Sequence, residues 1–277
     1  MPFAPARNTR VHYDIDGEGP GLVLVHGAGG DSEKVFGNVV PHFAAEHTVI
    51  RPEFSGSGRT EDGEGGGEGG GERDGESEEL SVDLIAEQIT AAIRDAALDG
   101  PVDLLGFSLG AVGAAAVAAA HPELVRRLVL VAGWAHSSGP RDRYYFETWR
   151  RLLATDRESL KRFSALTGFS AGALDRFGHE GLAQSLADAW PPPGIGRQIE
   201  LCGQVDIRPL LPSITAPTLV IGFGEDAMIP VEGSRQLHAA IAGSRLVEVP
   251  GEGHMDWFAD PSGVVELTRE FLDDRQH

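Results

Sequence analysis

The sequence predicts an α/β protein whose central sheet is mainly parallel and is covered by helices on both faces. Short apolar runs of strand length alternate along the chain with longer amphipathic or alanine-rich runs of helix length. That alternation is typical of parallel strands joined by crossover helices. The chain has 277 residues, which is enough to bury one full core that carries an inserted subdomain.

The predicted elements follow from these runs in chain order. The segment TRVHYDIDGEGPGLVLVHG predicts an antiparallel entry hairpin that turns at Asp16-Gly17. The predicted core strands are Leu22–Val25, Thr48–Ile50, Val102–Leu105, Leu128–Val131, Thr218–Ile221 and Leu246–Val249. The predicted core helices are Ser81–Ala97, Leu109–Ala120, Val231–Ala242 and Pro261–Asp273. The second of these helices ends at His121-Pro122, because proline cannot continue a helix.

One serine lies between two glycines where a predicted strand turns directly into a helix. The five residues are Gly106-Phe107-Ser108-Leu109-Gly110. Such a corner is strained and crowded, so small residues must flank it. Ser108 then stands at a helix N-terminus, where backbone amides can face a developing negative charge. This is the G-x-S-x-G pattern of a nucleophile elbow, and on it the chain resembles the α/β-hydrolase family.

The resemblance implies the α/β-hydrolase fold and a catalytic triad in the order serine, acid, histidine. A serine hydroxyl is a poor nucleophile and needs a histidine base that a carboxylate orients. Asp226 lies in the polar loop after the strand Thr218–Ile221, and Glu225 is a rival for the same role. His254 lies in a Gly-Glu-Gly loop after the last predicted strand. The resemblance therefore assigns catalytic roles to Ser108, Asp226 and His254.

The resemblance also implies an oxyanion hole made of two backbone amides. One amide belongs to Leu109, the residue after the nucleophile. The other belongs to the glycine-rich turn after the strand that begins at Leu22, and Ala28 is the expected donor, with Gly27 and Gly29 as alternatives. We expect His26 to orient this turn by hydrogen bonding.

A second turn, RPEFSGSGRT, departs from the family's pattern. In the family this place reads Asp-x-x-Gly-x-Gly, with a structural carboxylate at the end of a strand. Here Glu53 replaces the aspartate, and Ser55 stands where proline is common. The departure does not touch the triad.

The stretch between two core strands, from Trp134 to Ser213, has helical spacing and no convincing strand pattern. It predicts an all-helical cap at residues 134–213, inserted between core segments 1–133 and 214–277. The position is similar to the caps of 3-oxoadipate enol-lactonases and of capped esterases. Aromatic side chains in and near the cap predict an apolar substrate pocket lined by Trp134, Tyr145, Trp149, Phe163, Trp190 and Trp257.

The formal net charge of −19 argues against nucleic acid and an anionic membrane as partners. Residues 61–79 hold nine acidic residues and one arginine, and so contribute −8 of that charge. The segment is glycine-rich and nearly free of apolar residues, which predicts a flexible insert in a surface loop. Cys202 is the only cysteine, and the first residues show no signal-peptide core; both favour the cytoplasm.

Together these features predict a serine hydrolase that cleaves an ester, lactone or thioester of a small, largely apolar substrate through an acyl-enzyme. The chemistry needs no cofactor and no metal, so neither is expected. A carbon–carbon bond hydrolase, a cofactor-free haloperoxidase and an acyl transferase stay open on the same triad. So does a non-catalytic small-molecule receptor or carrier. The expected partner is the small-molecule substrate, and a homodimer is left open.

Overall fold

The computed structural model of the protein describes residues 2–63, 79–187 and 192–274. Within these ranges nine strands form one sheet in the order β1-β2-β4-β3-β6-β7-β8-β9, and β5 pairs with β2 beside that path. The strands are β1 (Phe3–Ala6), β2 (Thr9–Asp16), β3 (Gly21–Val25), β4 (Thr48–Pro52), β5 (Glu61–Asp62), β6 (Val102–Phe107), β7 (Val125–Val131), β8 (Thr218–Phe223) and β9 (Arg245–Val249). The strands from β4 to β9 along the path are parallel to one another, which confirms the predicted fold class.

The predicted entry hairpin is wrong, because its two strands, β2 and β3, do not pair with each other. β2 pairs antiparallel with β1 through Ala6 and Thr9, and with β4 through Ile15 and Ile50, but β4 separates it from β3. The reason is burial. Every residue of β3 is buried, so this strand belongs between two parallel neighbours, whereas β2 alternates toward solvent and fits nearer the edge.

The described ranges contain ten α-helices. They are α1 (Ser32–Phe36), α2 (Val40–Phe43), α3 (Val82–Asp95), α4 (Leu109–Ala120), α5 (Pro140–Thr155), α6 (Arg157–Gly168), α7 (Ala171–Ala187), α8 (Ile195–Cys202), α9 (Val231–Ala240) and α10 (Ser262–Asp273). α3 begins after Ser81 because the side chain of Ser81 accepts a hydrogen bond from the amide of Leu84. α7 is interrupted at Gly178, whose φ is 61°.

The core has two layers, one on each face of the sheet. Alternate residues of β3 show the division: Val23 and Val25 pack with α3, α4 and α9, and Leu22 and Leu24 pack with α1, α2 and α10. α4 is buried along almost its whole length, which its alanine and glycine content allows. The sheet is therefore covered on both faces, as the sequence predicts.

Helices α5 to α8 all lie between β7 and β8, in the segment that the sequence predicts to be a cap. The predicted acidic insert begins differently: Glu61 and Asp62 form β5, and Asp62 also forms an ion pair with Arg197 of α8. Residues 64–78 lie outside the described residues. Among the described helices, none combines the length and the apolar content that crossing a bilayer requires.

Candidate active site

Ser108 occupies the corner between β6 and α4. Its backbone is strained for a residue with a Cβ, with φ 55° and ψ −121°. Gly110 lets α4 pack very close to β3 beside this corner, because a Cβ on Gly110 would be 2.2 Å from the carbonyl oxygen of Val25. The local sequence thus places the Ser108 hydroxyl at the end of the sheet. Ser108 is only 7% exposed, and it lines a cavity.

Three side chains from three separate loops form a hydrogen-bond chain. The Nε2 atom of His254 lies 3.0 Å from Ser108 Oγ, and its Nδ1 atom lies 2.5 Å from Asp226 Oδ2. All three residues are buried. In this order, Nδ1–H donates to the carboxylate and leaves Nε2 able to accept the serine proton.

The aspartate is itself held by the backbone of its own loop. Asp226 Oδ1 accepts hydrogen bonds from the amides of Met228 at 2.8 Å and Ile229 at 2.7 Å. The other oxygen stays directed at His254. The rival carboxylate, Glu225, is exposed, and its amide donates to the carbonyl of Glu252. The structure therefore brings Asp226, and not Glu225, to the histidine.

Of the two residues whose amides are expected in the oxyanion hole, Ala28 lines the same cavity as Ser108, and Leu109 directly follows Ser108 in the chain. Leu109 is the first residue of α4, where helix amides have no intrahelical partner. Ala28 follows β3 and lines the cavity. No described atom accepts a hydrogen bond from either amide. The alternative donor Gly29 is already used, because its amide donates to Gln198 Oε1 at 2.8 Å.

His26 lies in the same turn and is completely buried. Burial lowers the pKa of its imidazole, so the ring is neutral near pH 7. Its Nδ1 atom lies 2.8 Å from the carbonyl oxygen of Gly27 and must donate the proton. The ring also stacks on Phe54 at 4.2 Å between centroids. These contacts are those of a side chain that orients the turn, as the sequence predicts.

Ser108 and His254 open into a cavity of about 390 Å³. Of the pocket residues predicted from sequence, Trp134, Tyr145 and Trp149 line it. The wall also contains apolar residues that the sequence analysis did not select: Phe146, Leu160, Phe169, Ile195, Met228, Ile229, Met255 and Phe258. Burial raises the pKa of the Tyr145 hydroxyl, which is therefore neutral near pH 7. A small apolar molecule fits a cavity of this size and lining.

Two predicted pocket residues are not in the wall. Phe163 packs behind Tyr145, with ring centroids 5.3 Å apart, and so supports the wall from the cap side. Trp257 is buried in the core, edge-on to Phe107 at 5.2 Å and to Phe36 at 6.1 Å. An aromatic residue near the histidine loop can pack either in the cavity wall or in the core, and the sequence pattern does not distinguish these two places. Trp190 lies outside the described residues.

A group of titratable side chains lies at the turn after β4. His12, Asp14 and Glu53 offer ligand atoms that are all within 4.8 Å of one another. Those atoms are already used: Glu53 Oε2 lies 2.9 Å from His12 Nδ1 and accepts from the amide of Arg59 at 2.8 Å. The Arg59 guanidinium lies 3.0 Å from Asp14. Glu53 is thus the structural carboxylate that the family pattern implies, one methylene longer than aspartate.

Comparisons with known proteins show the family of the chain. Residues 20–261 match the family model described as the alpha/beta hydrolase fold. The chain is 39% identical over 268 residues to pyrrolizixenacetamide deacetylase of Xenorhabdus hominickii, covering 96% of this chain and 95% of that protein. It is 29% identical over 191 residues to pimeloyl-acyl-carrier protein methyl ester esterase of Neisseria meningitidis, covering 64% of this chain and 71% of the esterase. The crystal structure of the enol-lactonase from Burkholderia xenovorans LB400 superimposes with a TM-score of 0.81 at 22% identity, over 99% of this chain and 100% of the lactonase.

Proposed function

Because the chain belongs to the α/β-hydrolase fold family, we propose that it is a serine hydrolase that cleaves an acyl bond through an acyl-enzyme on Ser108. The observation that carries the proposal is the continuous, buried hydrogen-bond chain from Ser108 through His254 to Asp226. The carboxylate, the histidine and the serine lie in line and buried beside an apolar cavity. They match the requirements of nucleophilic acyl transfer.

The first half-reaction uses the three side chains in turn. Ser108 Oγ attacks the substrate carbonyl carbon while His254 Nε2 accepts the serine proton. The carbonyl oxygen then carries negative charge in the tetrahedral intermediate. His254 returns the proton to the leaving group as the acyl bond breaks, which leaves the acyl chain on Ser108. Asp226 holds the imidazole by its Nδ1–H and stabilises the imidazolium that forms between the two proton transfers.

The second half-reaction repeats these steps with water. His254 takes a proton from the water, whose oxygen attacks the acyl-enzyme carbonyl. His254 then returns that proton to Ser108 Oγ as the bond between Oγ and the acyl carbon breaks and the acid product leaves. The Ala28 and Leu109 amides donate to the oxygen that becomes negative in both half-reactions. Removal of one such donor costs about 3–4 kcal/mol of transition-state stabilisation in enzymes of this type. No step requires a metal or a redox group.

The proposed substrate is a small, largely apolar ester, lactone or thioester. The cavity lining supports this class, since aromatic and aliphatic side chains form most of its wall. The name of the 39% identical relative adds the removal of an acetyl group to the reactions worth testing, because that protein is a deacetylase of an acetamide. An acetyl group is small enough for the site, and amide cleavage would use the same residues.

The test has two parts. A fluorophosphonate probe should label the parent protein at Ser108, with the site identified by peptide mass spectrometry, and Ser108→Ala should remain unlabelled. A panel of p-nitrophenyl acetate, butyrate and octanoate, simple lactones, acyl thioesters and aryl acetamides should then show turnover. Folded parent protein that neither reacts with the probe nor turns over any member of the panel would favour a receptor or carrier over an enzyme.

A further inference from the structure

One buried polar side chain of the cap contacts the oxyanion turn, and the reaction steps above do not use it. Gln198 lies in the middle of α8 and is completely buried. It shares a helix face with Ile195, Ile199 and Cys202, which are apolar. A glutamine in such a position must have its amide group fully hydrogen-bonded, because an unsatisfied buried polar group is costly.

The amide group of Gln198 ties two turns of the core together. Its Oε1 atom accepts from the amide of Gly29 at 2.8 Å. Its Nε2 atom donates to Ser57 Oγ at 2.8 Å and to the carbonyl of Ser55 at 3.1 Å. One cap side chain therefore joins the turn that carries Ala28 to the turn that follows the structural carboxylate Glu53.

The packing around these hydrogen bonds is tight. A Cβ on Gly194, next to the start of α8, would lie 2.1 Å from the Cα of Gly56. A Cβ on Gly29 would lie 2.8 Å from Ile195 Cδ1. The turn at Gly56 thus meets the residue before α8 backbone to backbone, and the turn at Gly29 packs against the Ile195 side chain. Side-chain movement cannot absorb a displacement of the start of α8 at Gly56.

We propose that Gln198 is a positioning residue that holds the Ala28 amide in the oxyanion hole through its hydrogen bond to the next amide, Gly29. The inference rests on the proposed serine hydrolase function. Gly29 has φ 74°, so the turn is built on a residue that populates many backbone conformations when it is not held. Fixing the Gly29 N–H fixes the peptide plane next to Ala28. The donor is then preorganised before negative charge develops on the substrate.

The arrangement also links the cap to the chemistry. The cap helix that lines the cavity with Ile195 and Cys202 is the helix that holds the turn. The docking of the cap and the orientation of the oxyanion donor therefore depend on the same hydrogen bonds. If Gln198 only stabilised the cap, its loss would lower stability without lowering kcat, and the two effects can be measured separately.

The test uses Gln198→Met, which keeps length and volume and removes all three hydrogen bonds. The expected result is a fall in kcat of about 10- to 100-fold on a p-nitrophenyl ester, with KM within about twofold of the parent, because losing an oxyanion donor outright costs about 10²–10³-fold in kcat. The rate of fluorophosphonate labelling of Ser108 should fall in parallel, since the phosphoryl oxygen occupies the same hole.

Two further variants separate positioning from stability. Ile199→Val removes a buried methyl group from the same helix and leaves all three Gln198 hydrogen bonds in place; it should lower Tm while leaving kcat and the labelling rate at parent values. Ser57→Ala removes one of the three hydrogen bonds and serves if Gln198→Met does not fold. It should lower kcat severalfold, again with little change in KM.

Hydrogen exchange gives a readout that needs no substrate. The Gly29 amide should be protected in the parent and in Ile199→Val, and should exchange faster in Gln198→Met by mass spectrometry of peptides that cover residues 26–30. If Gln198→Met and Ser57→Ala both label and turn over like the parent, or if Gly29 protection is unchanged, the inference is overturned and the serine hydrolase proposal stands. If the parent itself is inert to the probe, the proposed function fails instead, and the exchange result still decides whether Gln198 holds the turn.

Discussion

The Ser108 corner and the His254 loop meet at one hydrogen bond beside the cavity, and different parts of the molecule hold them. The corner is fixed from within the core. The amide of Ser108 donates to the carbonyl of Val131 on the neighbouring strand β7 at 2.9 Å. The amide of Ala111 donates back to the carbonyl of Ser108, also at 2.9 Å. No contact with the cap is needed for this geometry.

The His254 loop, by contrast, is fixed from the cap. The amide of Met255 donates to the carbonyl of Gly168, the last residue of α6, at 2.7 Å. The buried carboxylate of Asp256 accepts from both the amide and the hydroxyl of Ser170, at 3.1 and 2.5 Å. The same carboxylate also accepts from the amide of Gly253 at 3.0 Å. The junction between α6 and α7 thus forms one side of the seat for the histidine.

The comparison teaches that the proposed nucleophile and its proposed partners are held in place by different parts of the structure. The strain at Ser108 is maintained by the sheet and α4. The position of the histidine, like that of the oxyanion turn, depends on the docking of an inserted segment. A change that loosens the cap should therefore impair the base and the oxyanion hole, while the serine corner stays intact.

The largest effect is expected from Ser108→Ala, which changes only the core side of the comparison. Turnover should fall by about 10⁶-fold, because the base and the acid contribute little once the nucleophile is gone. The fold and substrate affinity should be retained, since alanine fits the same corner. Turnover on an ester and ligand binding by calorimetry check both statements. Parent-like hydrolysis in this variant would show that the nucleophile lies elsewhere.

Ser108→Gly sharpens this prediction. Glycine adopts φ 55° with no Cβ strain, so this variant should be more stable than Ser108→Ala by about 1 kcal/mol in chemical denaturation. An equal or lower stability would mean that the corner is not strained.

The next largest effect is expected from Asp226→Asn, which changes the hydrogen bond that orients His254 toward Ser108. An amide in this position favours the wrong histidine tautomer, so kcat should fall by about 10³–10⁴-fold with the fold preserved. Glu225→Gln is the matched control on the neighbouring, exposed residue and should stay within about threefold of the parent. Steady-state kinetics on one ester compares the two. A severe defect in the control with a mild one in Asp226→Asn would reverse the assignment of the acid.

A smaller effect is expected from Gly253→Ala, which acts on the cap side alone. A Cβ at this position would lie 2.4 Å from the amide nitrogen of Ser170, although the backbone of Gly253 is not in the left-handed region. The clash should lower the free energy of unfolding by about 1–3 kcal/mol and reduce kcat, because the cap and the loop must separate. Denaturant unfolding and kinetics measure both.

Gly263→Ala is the control for that substitution, since a Cβ at Gly263 meets nothing within 4 Å. It should be neutral or slightly stabilising in α10. Equal stability and activity in the two alanine variants would show that the histidine loop does not depend on its seat against the cap.

The smallest effect concerns Cys202, a buried residue of α8 that lines the cavity. Burial raises the pKa of its thiol well above the ordinary value, so very little thiolate exists near pH 7. Iodoacetamide at that pH should leave the folded protein unmodified and active, and should alkylate it after denaturation, as intact mass reports. Rapid alkylation of the native protein would indicate that α8 moves away from the core, which would contradict a firmly seated cap.

The parts of the fold and site that could be predicted are those with a local signal. The strand–turn–helix around Ser108 carries its own glycines, and Asp226 and His254 each follow an apolar strand in a polar loop. These features need no knowledge of distant residues, because hydrophobic periodicity and turn residues act over a few positions. The sheet order at the entry was missed because β2 pairs on its inner side with β4, where Ile15 lies opposite Ile50, and not with β3, which follows β2 in the chain.

The contacts between the cap and the core carried only a weak signal. Gln198 is a polar residue on an otherwise apolar helix face. This position indicates that Gln198 is buried and hydrogen-bonded, but it does not indicate which atoms it binds. Trp257 and Phe163 are aromatic, as pocket residues often are. Trp257 nevertheless packs in the core, and Phe163 packs behind the cavity wall. Asp256 lies two residues after His254, and no sequence pattern predicts its hydrogen bond with Ser170.

The sequence by itself determined the α/β class, the corner at Ser108 and the identity of the residues in the three loops, since short-range sterics and burial patterns dictate each of them. Only the tertiary structure decided which atoms meet: His254 with Ser108 across 146 positions of chain, and Gln198 with Gly29 across 169. Hydrogen bonds of that range depend on how whole elements dock, and docking is set by the combined packing of many side chains. No stretch of a few residues contains that information, which is why the candidate residues could be predicted from the sequence and the contacts between them could not.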